Sequence, residues 1–354
     1  MATWDKTQEP ILPGLYLVLE RIARRVINAS DRGIVAMVAD SSIVGKRGAI
    51  HELTTVQQIA DTLGTNKSHA QFALEAGVQQ LLVYVREDAE LLADALEKLS
   101  PYYFDTFALG FDATNTDALA VKSWRESMAV DGRHFVGIIG AAKGLADDAA
   151  TQAVFTGAKH GDIGHVGFGV LAEGGVSYSG GEVAAYLAGA QAARGMADGS
   201  LTRHVIPFAV DAERRLSKSQ REAMYQAGIM VPIHNGYEVV LEAAITSDPA
   251  TFAKGKLRIA YNAAVYQESM NYAIENGFVG QINNDSDGRA VLLAAVNEFN
   301  NRLIGEGVLS ADTTTVIHPD YPPSGDSIYL MTTGDFIDAA EKFFIEFVAN
   351  GGVA

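Results

Sequence analysis

The stretch Leu81-Leu82-Val83-Tyr84-Val85 decides the fold class of this 354-residue chain. A run this short and this apolar is typical of a strand that is buried on both faces of a sheet. Directly after it, between Glu87 and Leu99, apolar residues recur at helical spacing, which predicts an amphipathic helix. A buried strand that leads into a helix is the repeating unit of an α/β layer.

The same alternation extends to both sides of this unit. Ile34–Ala39, Tyr103–Leu109 and His134–Ile139 predict further strands, and Thr114–Met128 predicts a helix between the last two. Strands joined by helices of this length imply crossover connections and therefore a parallel sheet. The sequence predicts a mixed α/β (α+β) fold whose first half contains a parallel sheet.

The second half of the chain has a different pattern. Met230–His234 and Tyr237–Leu241 flank Asn235-Gly236, which predicts a β-hairpin with a two-residue type I′ turn. Phe252–Asn276 and Asp287–Ile304 predict two long helices. The Ala- and Gly-rich region from 141 to 200 gives no clear periodicity, and its part from Gly161 to Gly169 reads as a loop or a glycine-weakened strand.

Composition excludes several classes of protein. With 27 Lys and Arg against 43 Asp and Glu, the formal net charge is −16, which argues against direct binding of nucleic acid. The absence of cysteine removes disulfide scaffolds, thiolate zinc sites and thiol nucleophiles, and is compatible with folding in a reducing cytoplasm. No stretch approaches 18 uninterrupted apolar residues and the N-terminus lacks signal-peptide features, so we expect neither membrane insertion nor that route of secretion.

The sequence contains partial matches to cofactor and metal motifs, but the residues around each match do not fit the motif. Gly167–Ala172 has the letters of a dinucleotide fingerprint but no helix entry after it, and Asn283–Gly288 resembles half of a calcium loop without its twelfth-position carboxylate. His160 and His165 are five residues apart and flanked by glycine, so they cannot share a helix face as zinc ligands. We therefore expect no cofactor and no metal site.

One catalytic hypothesis stays open. Ser177 and Ser179 lie in a stretch that lacks the first glycine of a nucleophile elbow, and Asp211 and His234 follow in the order acid, then base. A serine hydrolase built on these residues is the alternative to a non-enzymatic role.

The two ends of the chain carry β-prone segments outside the α/β body. At the N-terminus they are Leu15, Tyr16, Leu17, Val18 and Leu19; at the C-terminus, Phe343, Phe344, Ile345, Glu346, Phe347 and Val348. An uncovered strand of this composition is an aggregation hazard. It must pair with an edge of its own chain or with an edge of a neighbour, and repeated head to tail the second choice gives rings or helical filaments.

The order of segments resembles the tail sheath proteins of contractile phage tails, especially the short sheath type of phage-tail-like bacteriocins and myophages. The resemblance consists of loose apolar patterns in a fixed order over nearly the full length, except in the region near 141–176. The segments that carry it are Ser30–Val38, Leu81–Val85, Phe278–Asn284 entering the Asp287–Ile304 helix, Ser327–Thr333, Asp338–Lys342 and Phe343–Val348.

This resemblance implies a non-enzymatic structural polymer. Six subunits would form a ring, rings would stack helically around a tail tube, and terminal arms would add strands to a small sheet in each neighbour. The donor strands would be those around Leu15–Leu19 and Phe343–Val348, and the hairpin with Tyr237, Val239 and Leu241 is a candidate acceptor. Contraction would drive the tube through the host envelope.

The resemblance also implies a division of the chain and a set of partners. Residues 1–25 would be an N-terminal arm, 26–200 an outer α/β domain of subtilisin-like architecture, 201–327 an inner domain with the hairpin and the two long helices, and 328–354 a C-terminal arm. The partners would be further copies of the chain, the tail tube protein, and baseplate and tail terminator proteins, in a virion tail assembled in the host cytoplasm. A sheath subunit of a non-phage contractile injection system fits the same pattern.

Overall fold

The computed structural model describes residues 33–251 and 253–346. The helices in these ranges are α1 (Val56–Leu63), α2 (Ser68–Glu75), α3 (Leu92–Glu97), α4 (Asn115–Val130), α5 (Asp148–Val154), α6 (Gly180–Ala192), α7 (Lys218–Gln226), α8 (Leu257–Gly277) and α9 (Ser286–Gly305). The strands are β1 (Ile34–Ala39), β2 (Ala49–Leu53), β3 (Gln80–Val85), β4 (Thr106–Leu109), β5 (Val136–Gly140), β6 (Ile163–Val166), β7 (Val170–Leu171), β8 (Ser177–Tyr178), β9 (Asp211–Ala212), β10 (Ile229–Met230), β11 (Pro232–His234), β12 (Val239–Leu241), β13 (Thr314–Ile317) and β14 (Leu330–Thr333).

A seven-stranded sheet forms the centre of the α/β body, in the order β10-β6-β5-β4-β1-β3-β2, and only its edge strand β10 comes from the second half of the chain. Every neighbouring pair is parallel except the edge strand β2, which runs antiparallel to β3. The predicted mixed α/β fold with a parallel sheet is confirmed. Strand β2 was not predicted, because its half-exposed residues form no apolar run.

Two hydrophobic cores cover the two faces of this sheet. In β1, Val35 and Met37 belong to the core that contains α2 and α6, whereas Ala36 and Val38 belong to the core that contains α3 and α4. Successive strand residues point to opposite faces, so a strand between two helical layers must be apolar at every position. This is the physical reason why the uninterrupted apolar runs predicted the sheet.

Helix α6 is another element that was not predicted from the sequence. All of its 13 residues except Glu182 are buried, so it has no polar face and no amphipathic period. It packs on α2 at a close approach: a Cβ on Gly189 would lie 2.3 Å from the Ala73 carbonyl oxygen. The Ala- and Gly-rich composition of this region therefore serves tight helix packing, and the stretch read as loop or weakened strand contains β6.

The helix predicted over Glu87–Leu99 is shorter than expected. The Glu90 carboxylate accepts from the Glu87 backbone N–H at 2.9 Å and from the Tyr84 hydroxyl at 3.0 and 3.1 Å. Ala89 has a φ of 62°. These local bonds close a turn after β3, so the helix begins only at Leu92.

The predicted hairpin exists, but its turn is different. Strands β11 and β12 pair from Pro232↔Leu241 to His234↔Val239, which leaves a four-residue loop. The Asn235 side-chain oxygen accepts from the N–H groups of residues 237 and 238 at 2.9 and 3.0 Å, and only Gly236 has a positive φ in this loop. The type I′ prediction was wrong because the asparagine side chain organises a wider turn.

The long helices α8 and α9 were predicted with small errors at their ends. The first begins at Leu257 rather than Phe252, after a turn in which Lys254 and Gly255 have positive φ values of 49° and 74°. The Asp285 carboxylate caps α9 by accepting from the Gly288 N–H at 2.8 Å. The hairpin of β13 and β14 packs against α9, so the boundary predicted between 327 and 328 falls within this unit.

Candidate assembly surfaces

The C-terminal segment is anchored to the body where it leaves β14. The Ile337 N–H donates to the Val308 carbonyl at 2.8 Å, and the Arg258 guanidinium donates to the Ile337 carbonyl. The Phe336 ring meets the Tyr266 ring of α8 edge-on, with centroids 6.0 Å apart. These contacts fix the path of the chain up to residue 337.

A partly buried ion pair holds the next part of the segment. The Lys256 ammonium donates to the Glu341 carboxylate and lies 3.8 Å from the Asp338 carboxylate. The Thr202 hydroxyl donates to the same Glu341 group at 2.7 Å. The Lys256 and Glu341 side chains are only 21% and 14% exposed, so this contact ties the segment to two distant parts of the body.

The charge of this pair is stable at neutral pH. Burial acts to raise the pKa of Glu341, but the hydrogen bonds from Lys256 and Thr202 outweigh it and hold the pKa below its ordinary value. Burial acts to lower the pKa of Lys256, but Glu341 and Asp338 outweigh it and raise the pKa. Each group thus favours the charged form of the other.

The predicted C-terminal donor residues lie just beyond this pair, and they are exposed. Phe343, Phe344 and Ile345 are 77%, 93% and 91% accessible, and residues 343–346 form no strand in the single chain. Phe347 and Val348 lie outside the described residues, as do the N-terminal candidates Leu15–Leu19. Three large apolar side chains in succession thus extend into solvent from an anchored point.

The hairpin predicted as acceptor has little free edge. Tyr237 lies in the loop and is 95% exposed, whereas Val239 and Leu241 are fully buried. The outer side of β12 is already bonded within the chain, by Ile206 N–H to the Val239 carbonyl and by Leu241 N–H to the His204 carbonyl, both at 2.9 Å. On the other strand Pro232 has no N–H to offer, so β11 is a poor edge as well.

The hairpin of β13 and β14 offers a more open edge. The outer side of β13 is covered by α9, because the Asn297 amide bonds both the N–H and the carbonyl of Thr315 at 3.1 and 3.2 Å. On β14 the alternation of the ladder places the N–H and carbonyl groups of Leu330 and Thr332 on the outer side. In the described part of the chain no backbone group bonds to them. A two-stranded sheet with one open edge is marginal alone and suited to a third strand.

The serine residues of the hydrolase hypothesis occupy structural positions. Ser179 is the N-cap of α6: its hydroxyl accepts from the Glu182 N–H at 3.1 Å and donates to the Asp112 carboxylate. His69 approaches the same Asp112 oxygen at 3.3 Å. The carboxylate therefore stands between serine and histidine, whereas in a triad the histidine stands between serine and carboxylate.

The other members of that hypothesis lie apart. Ser177 in β8 and Asp211 in β9 pair with opposite sides of Leu171, and Asp211 binds Arg215 at 3.0 Å. His234 lies in β11, where its Nδ1 accepts from the Gly236 N–H. Among the described contacts none places a histidine on Ser177 or Ser179. The Asp112–His69 pair was not predicted, because the two residues are 43 positions apart and belong to no motif.

The described residues contain no group of three or more histidine, aspartate or glutamate side chains placed to hold a metal ion. In the same ranges, no helix combines the length and the apolar character needed to cross a bilayer.

The central part of the chain is similar to a known protein family. Residues 87–247 match the family model of the phage tail sheath protein central domain. No curated protein sequence matches the chain. The region thus matched runs from the end of β3 to the residues after β12, and it contains α6 and most of the parallel sheet.

Solved structures extend the similarity to nearly the whole chain. The sheath tail protein of Desulfitobacterium hafniense is 15% identical, with a TM-score of 0.68, and the alignment covers 92% of this chain and all of that one. The contracted helical sheath of the anti-feeding prophage is 13% identical, with a TM-score of 0.72 and coverage of 96% and 99%. The contracted PVC sheath of an extracellular contractile injection system is 11% identical, with a TM-score of 0.71 and coverage of 97% and 98%.

The resemblance to contractile tail sheath proteins is confirmed. Residues 87–247 match the central domain of phage tail sheath proteins, and the chain has the fold of sheath proteins over most of its length. The family is one of structural sheath proteins.

Proposed function

We propose that this chain is the structural subunit of a contractile sheath. Copies polymerise as stacked six-membered rings around a tail tube, and contraction drives the tube through the host envelope. The observation that carries the proposal is the sheath central domain at 87–247, within a fold shared with contracted sheaths. Baseplate, tube and terminator proteins are the proposed partners, and assembly takes place in the host cytoplasm before the particle is complete.

The C-terminal segment supplies the link between copies. Its anchor at Glu341 and Lys256 fixes where the arm leaves the body, and the exposed Phe343, Phe344 and Ile345 follow at once. Burying three such side chains against a neighbour contributes about 1.5–3 kcal/mol for each. The arm therefore gains most of its stabilisation only in the assembly.

The acceptor is a β edge of the neighbouring copy. Of the two hairpins, we favour β14 over the predicted β11–β12 hairpin with Tyr237, Val239 and Leu241, since the outward groups of Leu330 and Thr332 have no backbone partner in the described chain. An added strand would bond to them directly and convert a marginal two-stranded sheet into a larger one.

Contraction needs no bound nucleotide in this scheme. An extended sheath is a metastable packing of subunits, and rotation of subunits into a packing with more buried area releases free energy while the arms keep neighbours linked. A purely structural role for Ser179, as the cap of α6, follows from its contacts. Esterase activity lost in a Ser179→Ala variant that still folds would overturn this part of the proposal.

A phage tail and a non-phage injection system would use the same chain in the same way. The anti-feeding prophage and PVC matches favour the second as much as the sheath tail proteins favour the first. Genes for capsid or for toxin cargo beside this gene would separate the two.

The test of the proposal is deletion of residues 343–354. We expect the truncated protein to be a folded, soluble monomer with the melting temperature of the full chain, which no longer forms tubules in negative-stain electron microscopy. Assembly by the truncated protein would refute the arm assignment.

Proline substitutions distinguish the two acceptor edges. Thr332→Pro removes an outward N–H from β14, and His234→Pro removes one from β11. We expect Thr332→Pro to block assembly and His234→Pro to permit it, with Thr332→Val as the control for loss of the threonine hydroxyl. The reverse result would return the acceptor role to the β11–β12 hairpin.

A further inference from the structure

A second feature of the surface is a basic cavity in an acidic protein. The cavity has a volume of about 400 Å³ and lies beside the start of α7. Its wall contains four arginines, Arg203, Arg214, Arg215 and Arg221, which we call the arginine cluster, together with His234. Among the described residues that line it, none is acidic. In a chain of net charge −16, this concentration of positive charge is a local reversal of sign.

The carboxylates that pair with the arginine cluster neutralise it only in part. Glu242 accepts from Arg203 at 2.7 Å and from Arg221 at 3.1 Å, so one carboxylate serves two guanidinium groups. Asp211 and Asp148 bind the remaining two arginines, one each. Three negative charges thus face four positive ones. Each guanidinium has five N–H donors, and these contacts use only part of them.

One detail indicates that the cluster is incomplete in the single chain. The Nε atom of Arg221 is buried and has no hydrogen-bond partner among the described residues. A buried donor without a partner costs free energy that a bound anion would recover.

We propose that the arginine cluster binds carboxylate side chains from an acidic surface segment of a second copy of this chain. The proposal rests on the proposed function, since it needs copies to meet. Arg203 and Arg221 also line the groove along residues 339–343, from which the C-terminal arm leaves. A neighbour that receives the arm is thereby brought beside the cluster. Planar guanidinium groups bind carboxylates through two parallel bonds, which gives such a contact a defined geometry.

The test reverses charge at the two most exposed members. Arg215 and Arg203 have side chains 70% and 54% exposed, so Arg215→Glu and Arg203→Glu should preserve the fold. Lys98→Glu, at an exposed position outside the cavity, is the control. We expect both arginine variants to need about tenfold more protein to assemble, with only the small fall in melting temperature that the loss of one largely exposed ion pair causes, and the control to match wild type. Wild-type assembly should also weaken as salt is raised, a measurement that needs no variant.

The outcomes separate the two proposals. If wild type forms no tubules or rings, the proposed function fails and this inference with it. If wild type assembles independently of salt, or if both arginine variants assemble at its concentration, the inference fails and the proposed function stands. If inorganic phosphate raises the melting temperature of wild type but not of Arg215→Glu, while assembly of both is equal, the occupant is a small anion and the second copy is excluded.

Discussion

Helix α6 and the C-terminal segment are opposites within one chain. The helix buries every residue but Glu182 between the sheet and α2, whereas the segment exposes Phe343, Phe344 and Ile345 almost completely. Both are rich in apolar residues, so composition does not distinguish them. The difference is that the partners of α6 lie in the same chain, while those of the segment do not lie among the described residues. The residues that stabilise the body are thus separate from the exposed residues that we propose to link neighbouring copies.

We expect the largest effect on stability from a substitution that disturbs the contact between β5 and α6. A Cβ on Gly140 would lie 2.0 Å from the Gly180 carbonyl oxygen, so Gly140→Val forces the backbones of β5 and α6 apart. We expect a loss of about 4 kcal/mol or more in the free energy of unfolding, measured by urea denaturation.

Gly199→Ala is the matched control for this substitution, because an added Cβ meets no atom within 4 Å there. A stable Gly140→Val protein would show that the close approach of β5 and α6 is not required for the fold.

The second prediction compares two phenylalanines eight positions apart in the same segment. Phe336 packs on Tyr266, and Phe336→Ala should reduce the free energy of unfolding by about 2 kcal/mol, since its ring is only partly buried. Phe344 is 93% exposed, so Phe344→Ala should leave the melting temperature unchanged and weaken assembly instead.

Each variant is the control for the other. Equal effects of Phe336→Ala and Phe344→Ala on the melting temperature would mean that the segment packs on its own body beyond residue 341.

Some of these elements could be predicted from the sequence and others could not. Strands such as β3 were visible because burial on both faces requires an unbroken apolar run. Helix α6 was not visible, since burial on all sides removes the period by which helices are recognised. In the candidate site, Phe343–Ile345 was visible as an apolar run, but its anchor was not: Glu341 binds Lys256 and Thr202, which are 85 and 139 positions away.

His165 is a polar residue buried in the body of the protein. Its ring stacks on Phe155 with centroids 4.3 Å apart, and neither ring nitrogen has a hydrogen-bond partner among the described residues. Burial lowers the pKa of His165 from 6.5 to about 3. His165→Leu should therefore raise the free energy of unfolding by about 1 kcal/mol at neutral pH, by removing two unsatisfied polar atoms.

The pH dependence of this effect has a definite sign. The folded state favours the neutral form of His165. The free energy of unfolding is therefore unaffected by its protonation above pH 6.5, and it decreases as the pH falls from 6.5 toward about 3. At pH 5 wild type should have lost about 2 kcal/mol that the leucine variant retains. Unfolding curves of the two proteins at pH 7 and pH 5 measure this difference, and parallel losses in both would contradict it.

The smallest effect is expected at the boundary between the two regions. Glu341→Gln keeps an acceptor for Thr202 but removes the charge that faces Lys256. We expect a loss of about 1 kcal/mol or less, and faster amide hydrogen exchange confined to residues 338–342. Glu346→Gln, at an exposed position farther along the segment, is the control and should change neither quantity.

At acid pH, wild type and Glu341→Gln should have the same amide exchange rates over residues 338–342. The pKa of Glu341 is held below its ordinary value of 4.5 in the folded chain, so the stabilisation is present above that value and is lost as the pH falls through the folded pKa. Exchange rates of the two proteins should then converge at low pH. If they already coincide at neutral pH, the ion pair does not hold the segment, and the arm would leave the body at the Ile337 contacts with Val308 and Arg258 instead.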